Sequence, residues 1–253
     1  MGELSDKYFV MPFYIVVDVS YSMEENGGIR AMPQLVPAIR TALAEKPLVH
    51  DILRISILEF AGTANVLVPM SRPNELGSPD FAVRGDGTNY AAALALLKER
   101  IIADVATLKS QNLDVYRPAV FFLTDGEPNV GPAWEKAFAE LTYFDPATGA
   151  GFKAYPLFVP LGVGAASRTV LGQMAFPPDV SRLYMAVDPA AVQAAIIEMA
   201  NVMAHTTVSS GNTAVGALGS GGSEEPQHVL PDERDLGPGV TVSASQYQGG
   251  SFI

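Results

Sequence analysis

Residues Asp18-Val19-Ser20-Tyr21-Ser22 follow directly on an apolar run, Phe13-Tyr14-Ile15-Val16-Val17. A strand that ends this way presents one carboxylate and two hydroxyls at its tip. Oxygen donors of this kind suit a hard divalent cation such as Mg²⁺, with Mn²⁺ or Ca²⁺ as other occupants. Two later stretches share the same grammar. Gly85-Asp86-Gly87-Thr88-Asn89 opens a helical pattern, and Leu123-Thr124-Asp125-Gly126 ends a second apolar run, Ala119-Val120-Phe121-Phe122. Three loops would then converge on one ion through Asp18, Ser20, Ser22, Thr88 and Asp125. Two carboxylates brought together without a cation repel, and one is pushed towards protonation; a divalent ion removes that conflict. With only two anionic ligands the ion stays electron-poor and short of six ligands. The vacant position is open to water or to a Glu or Asp of a protein partner. Gly87 and Gly126 would let the backbone turn sharply beside the ion.

Each fragment alone has a plainer reading. Ser or Asp after a strand is commonly a turn former, Thr88 a helix cap, and Asp125-Gly126 an ordinary turn. The joint occurrence, in order and each at a strand end or helix start, is far more specific. Other features carry less. Arg84-Gly85-Asp86 is a chance tripeptide in which Asp86 serves the Thr88 loop. His50, His205 and His228 are scattered and adjoin no candidate ligand, which gives a histidine base little support. Trp134 and Phe138 have helical spacing and read as core. Glu127 and Asn129 either line the site's rim or belong to a solvated loop.

The elements that must position these loops alternate between apolar runs and helical periods, the signature of an α/β sheet with helices on both faces. Strands are expected at about 12–17, 52–60, 117–124, 152–161 and 183–187, with 64–69 returning antiparallel as an edge hairpin. Pro156 places the fourth of these near the sheet's edge or at a bulge. Helices are expected at about 29–46 with a kink or late start at Pro37, 90–110, 132–143, from Ser167 to Met174, and from an Asp188-Pro189 cap through Met203. In the long helix Leu94, Leu97, Ile101, Val105 and Leu108 recur on one face, while Lys98, Glu99, Arg100 and Asp104 face outward. Residues 1–206 read as one domain. Residues 207–253 turn rich in Gly, Ser and Pro and read as a flexible tail; Val240-Thr241-Val242-Ser243-Ala244 alternates, and a disordered terminus is the preferred reading over a short strand added to this sheet or to a partner's.

The D-x-S-x-S sequence at Asp18, the lone Thr88 in G-T-N and the strand ending T-D-G together resemble the metal-ion-dependent adhesion site (MIDAS) of von Willebrand factor type A (VWA) domains. The resemblance covers roughly residues 8 to 206. It implies a Rossmann-like three-layer α/β/α fold, mostly parallel with one antiparallel edge strand, that uses Mg²⁺ to hold an acidic residue of a partner. The stretches PAVFFLTDGEPN and GTNYAAAL are most similar to bacterial intracellular VWA proteins associated with tellurite resistance and stress. The family usually has Gly between the two serines, where this chain has Tyr21. A ring therefore stands beside the ion, and Tyr21, Asn89 and Glu127 are expected at the partner-binding rim.

Bulk properties bound the rest. The 253 residues suffice for one sizeable core. A net charge of −11, with no basic cluster, argues against nucleic acid and against an anionic membrane surface. The chain has no cysteine, so disulfides, thiolate metal sites and a cysteine nucleophile are excluded. The acidic N-terminus lacks the features of a signal peptide, and a cytoplasmic setting is expected. The functional expectation is a binding module without chemistry of its own, not an enzyme. The alternative is a metal-dependent phosphohydrolase, against which Asp18-Val19-Ser20 lacks the second aspartate of aspartyl-phosphate enzymes.

Overall fold

The structure is a computed structural model that describes residues 8–44, 46–186, 188, 191–219 and 228–248. At its centre lies β1 (Phe9–Asp18), buried along its whole length. Such a strand needs apolar cover on both faces, and its near-continuous run of large side chains supplies the matching surface. β2 (Leu53–Phe60) pairs parallel on one side of it, and β3 (Ala64–Ser71) folds back antiparallel on β2 as the edge. On the other side, β4 (Asp114–Val115) and β5 (Ala119–Thr124) both run parallel to β1. A small hairpin, β6 (Phe144–Asp145) with β7 (Ala150–Gly151), stands apart. β8 (Leu157–Gly162) adds parallel to β5, β9 (Arg182–Ala186) parallel to β8, and β10 (Val240–Ala244) antiparallel to β9. The sheet order is thus β10-β9-β8-β5-β1-β2-β3. Both edges are antiparallel, one more than the sequence suggested.

The helices are α1 (Tyr21–Glu25), α2 (Gly28–Ala31), α3 (Leu35–Leu43), α4 (Pro47–Ile52), α5 (Tyr90–Ser110), α6 (Trp134–Thr142), α7 (Arg168–Met174) and α8 (Val192–Gly219). The two-residue period of β1 sorts them into layers. Phe13, Ile15 and Val17 join Ile55, Ile57, Phe121 and Leu123 beneath Leu35 and Ile39 of α3 and Ile196, Met199 and Met203 of α8. Tyr14 and Val16 join Leu58, Phe60, Val120 and Phe122 beneath α5, α6 and α7.

The late start expected at Pro37 is found: it falls in the first turn of α3, where its missing N–H costs nothing, and the chain before it is broken into α1, α2 and a 3₁₀ turn. Other expectations change. Pro156 precedes β8 and so does not hold it to the edge; β8 lies inside the sheet and carries Pro160 opposite Phe122. Asp104 does not face outward. It is buried, accepts a hydrogen bond from the Tyr14 hydroxyl at 3.1 Å and pairs with Arg100. A phenol buried under a helix requires such an acceptor.

The chain beyond 206 also differs from the expected tail. α8 continues to Gly219, and Thr206 and Thr207 are buried in it. Their hydroxyls bond the Val202 and Met203 carbonyls at 2.8 and 2.7 Å, so residues that read as polar are satisfied within their own helix. The Val229 N–H donates to Ser210 Oγ at 3.0 Å, and His228 meets the Arg117 carbonyl at 2.8 Å. Val240–Ala244 is a sheet strand, fastened by Arg168, which donates to Ser243 Oγ and Thr241 Oγ1. The expected Pro189 at the start of α8 and the residues 220–227 and 249–253 of the expected tail lie outside the described residues.

Candidate metal centre

Asp18 is the last residue of β1, and Asp125 immediately follows β5. These strands are hydrogen-bonded neighbours, with Val17 opposite Leu123. From β1 the chain first builds to the β2 side and then crosses to the β5 side, so strand order reverses between β1 and β5. Ligands of open α/β sheets bind outside the carboxyl ends of the strands at such a reversal. Both carboxylates are buried there.

A chain of hydrogen bonds joins four of the five candidates. Asp18 Oδ1 accepts the Ser20 N–H at 2.9 Å. The Ser20 and Ser22 hydroxyls lie 3.1 Å apart, and Ser22 donates to Asp125 Oδ1 at 2.9 Å. Ser20 occupies the N-cap position of α1, yet its side chain makes no capping bond. Its hydroxyl is thereby left to the cluster. Thr88 comes from the loop before α5 and is buried. The Thr88 N–H donates to Asn129 Oδ1 at 2.8 Å and the Asn129 N–H to the Thr88 carbonyl at 3.1 Å, which clips the Thr88 loop to the Asp125 loop. Gly87 holds φ +87°, a left-handed conformation that glycine adopts at no steric cost. Gly126 is different: its φ is not positive, and a side chain there would begin 3.7 Å from Thr88 Oγ1. That is ordinary contact, so neither the backbone conformation nor crowding demands glycine there.

The rim residues are placed unequally. Tyr21 is 52% exposed and Glu127 is exposed. Asn89 is instead the N-cap of α5, where it accepts from the Ala92 N–H at 3.0 Å and donates to the Gly62 carbonyl at 3.1 Å. Both ends of its amide are committed to holding the helix start, so the capping role belongs to Asn89 and leaves Thr88 free of it.

Three participants were missed in the sequence. Thr124 donates to Asp18 Oδ2 at 2.6 Å and accepts from the Gly126 N–H at 3.2 Å. Tyr90 donates to the Gly126 carbonyl at 2.8 Å. Asn26 donates to Asp125 Oδ2. Thr124 had a signal, its place before Asp125 at a strand end; Asn26 and Tyr90 had none.

The electrostatics follow from burial. Asp18 is pushed up from 3.8 to about 6, first by desolvation, against hydrogen bonds from Ser20 and Thr124 and with a further push from Asp125. Asp125 is also raised by desolvation, against hydrogen bonds from Ser22 and Asn26. Among the described residues no Lys, Arg or His forms an ion pair with either carboxylate. Nor do three or more His, Cys, Asp or Glu gather at one point among those residues, so any cation here must draw on the hydroxyls. Two carboxylates with Ser20, Ser22 and Thr88 nearby form an all-oxygen donor set that fits a hard divalent ion.

The family model described as von Willebrand factor type A domain matches residues 13–127, a segment that contains all five candidates. Among solved structures, the chain is similar to proximal thread matrix protein 1 from the mussel byssus, with 18% identity and a TM-score of 0.54 over 77% of this chain and 49% of that one. A second structure of that protein, described as having a zinc-occupied MIDAS motif, matches with 17% identity and a TM-score of 0.53 over 77% and 49%. The ArnB paralog VWA2 from Sulfolobus acidocaldarius matches with 16% identity and a TM-score of 0.49 over 76% and 45%. The chain thus spans about half the length of the mussel protein's chain. No curated protein matches the sequence. The shared architecture is that of a VWA-like, mostly parallel α/β fold.

Proposed function

We propose that this protein is a divalent-cation-dependent protein-interaction module. Asp18, Ser20, Ser22, Thr88 and Asp125 hold Mg²⁺, directly or through water, and the ion's open position takes a Glu or Asp from a protein partner. The observation that carries this reading is the meeting of Asp18 and Asp125. Two buried carboxylates stand at the tips of adjacent strands, linked through serine hydroxyls, with neutral donors as their hydrogen-bond partners. Removal of such a pair from water without a counter-charge is costly, and a bound cation offsets the cost. Zinc in the MIDAS motif of the mussel protein supports a metal at this place in the fold. Mg²⁺ is the choice here because every donor is oxygen. Tyr21 and Glu127 border the mouth and contact the partner.

The wider setting rests on sequence alone. The likeness of residues 118–129 and 87–94 to bacterial tellurite-resistance and stress proteins supports a cytoplasmic assembly of that kind.

Two measurements test the reading. Calorimetric titration with Mg²⁺ and Mn²⁺ should show one site in the wild type and none in Asp18→Ala. Partners recovered in Mg²⁺ should be released by chelator, fail to bind Asp18→Ala, and lose binding when one acidic residue of theirs becomes an amide. No metal binding at millimolar concentration refutes the proposal. Turnover of phosphoesters that depends on Asp18 would establish the phosphohydrolase in its place.

A further inference from the structure

Asn26 was not singled out by any motif, yet it grips the carboxylate at one wall of the site. It is the C-cap of α1, with φ −85° and ψ 0°, and its N–H bonds the Ser22 carbonyl at 3.0 Å. Its side chain turns towards the loops at the sheet's tip. Nδ2 donates to Asp125 Oδ2, and Oδ1 accepts the Gly28 N–H at 2.9 Å. The second bond fixes the amide's orientation. With a donor held against its oxygen, only the NH₂ end faces Asp125. The other oxygen of Asp125 accepts from Ser22. Gly164 backs the pair: it holds φ +55°, and a Cβ there would lie 3.3 Å from Asp125 Cβ and 3.4 Å from Asn26 Nδ2. Asp125 is therefore held at both oxygens, and a side chain at position 164 would crowd the pair.

We infer that Asn26 is a positioning residue of the cation site, whose amide fixes the rotation of the Asp125 carboxylate and so sets how tightly the site takes a divalent ion. This rests on the cation reading proposed above. The type of residue matters. An Arg or Lys at this place would orient Asp125 and also neutralise it, leaving less need for an ion. An amide orients the carboxylate with no formal charge, so the demand for a cation is preserved. Hydrogen-bond partners behind a ligating carboxylate are typically worth about 10–100-fold in metal affinity.

The test titrates Mn²⁺ and Mg²⁺ into the full chain by calorimetry, for wild type, Asn26→Ala and Asn26→Leu. The leucine variant keeps the branched shape and the number of side-chain heavy atoms while removing the donor, which separates loss of orientation from loss of packing. Circular dichroism and a melt in chelator establish that each variant is folded at the titration temperature. The expected result is one site in the wild type and an affinity about 10-fold or more weaker in both variants. If both variants melt lower in chelator yet bind Mn²⁺ within twofold of wild type, Asn26 serves the fold alone and the inference is overturned. If the wild type takes up no Mn²⁺ or Mg²⁺ at millimolar concentration, the cation reading falls first and this inference falls with it.

Discussion

Replacement of Asp18 by Asn should stabilise the metal-free protein while abolishing its response to metal. The magnitude follows from burial. Asp18 is fully buried, and desolvation lifts it from 3.8 to about 6. The folded protein therefore keeps this proton to higher pH than the unfolded chain does. Stability from the protonated group is fully present below 3.8 and is lost as pH rises through about 6. Above that point the ionised carboxylate costs about 3 kcal/mol. An amide avoids this cost and retains most contacts. Its oxygen accepts the Ser20 N–H, and its NH₂ faces Thr124 Oγ1, a hydroxyl able to turn and accept. Imperfect geometry consumes part of the gain, so about 1–3 kcal/mol remains. In a chain of this size each kcal/mol moves the melting temperature by about 2–4 °C. Asp18→Asn should thus melt roughly 2–12 °C above wild type in chelator at pH 7.5. At pH 4.5, where the wild-type carboxyl is protonated, most of that advantage should vanish. Mg²⁺ at about 100 times its Kd should raise wild-type stability by about 2.7 kcal/mol and leave the variant unchanged. Thermal melts over pH 4.5–8, with and without Mg²⁺, measure all three. A variant no more stable than wild type in chelator at pH 7.5, or one whose advantage persists undiminished at pH 4.5, refutes the reasoning.

Two further substitutions separate the mouth of the site from the core. Tyr21→Ala removes a ring that is 52% exposed, so stability should change by less than about 0.5 kcal/mol and metal affinity should hold. Partner affinity measured by surface plasmon resonance should fall about 10-fold, and an unchanged value removes Tyr21 from the interface. Phe138→Ala acts in the core beneath α6 and touches none of the five candidate ligands. Phe138 is fully buried between Trp134 and Phe158, and its loss should cost about 3–5 kcal/mol in urea unfolding, with metal affinity retained. A loss below about 1 kcal/mol contradicts its place in the core.

Local pattern and tertiary contact divided the work. The apolar runs at Phe13–Val17 and Ala119–Phe122, the helical period from Tyr90 and the oxygen donors at their ends were legible because each is written by neighbours in the chain. These patterns specify a strand, a helix or a loop without reference to anything distant. They do not say which strands lie side by side. The adjacency of β1 and β5, which brings Asp18 and Asp125 together, depends on apolar faces matching across more than a hundred residues. The same holds for Asn26, whose partner Asp125 is distant in sequence, and for Asp104, which looked solvated until the Tyr14 hydroxyl beneath α5 supplied a reason for its burial. Beyond 206, composition misled because Thr206 and Thr207 satisfy their hydroxyls on carbonyls of their own helix and Val240–Ala244 gains its bonds from β9. Sequence by itself determined the donors and the elements that carry them; only the packed sheet decided their meeting, because hydrogen bonds and burial between remote segments exist only once the chain has closed on itself.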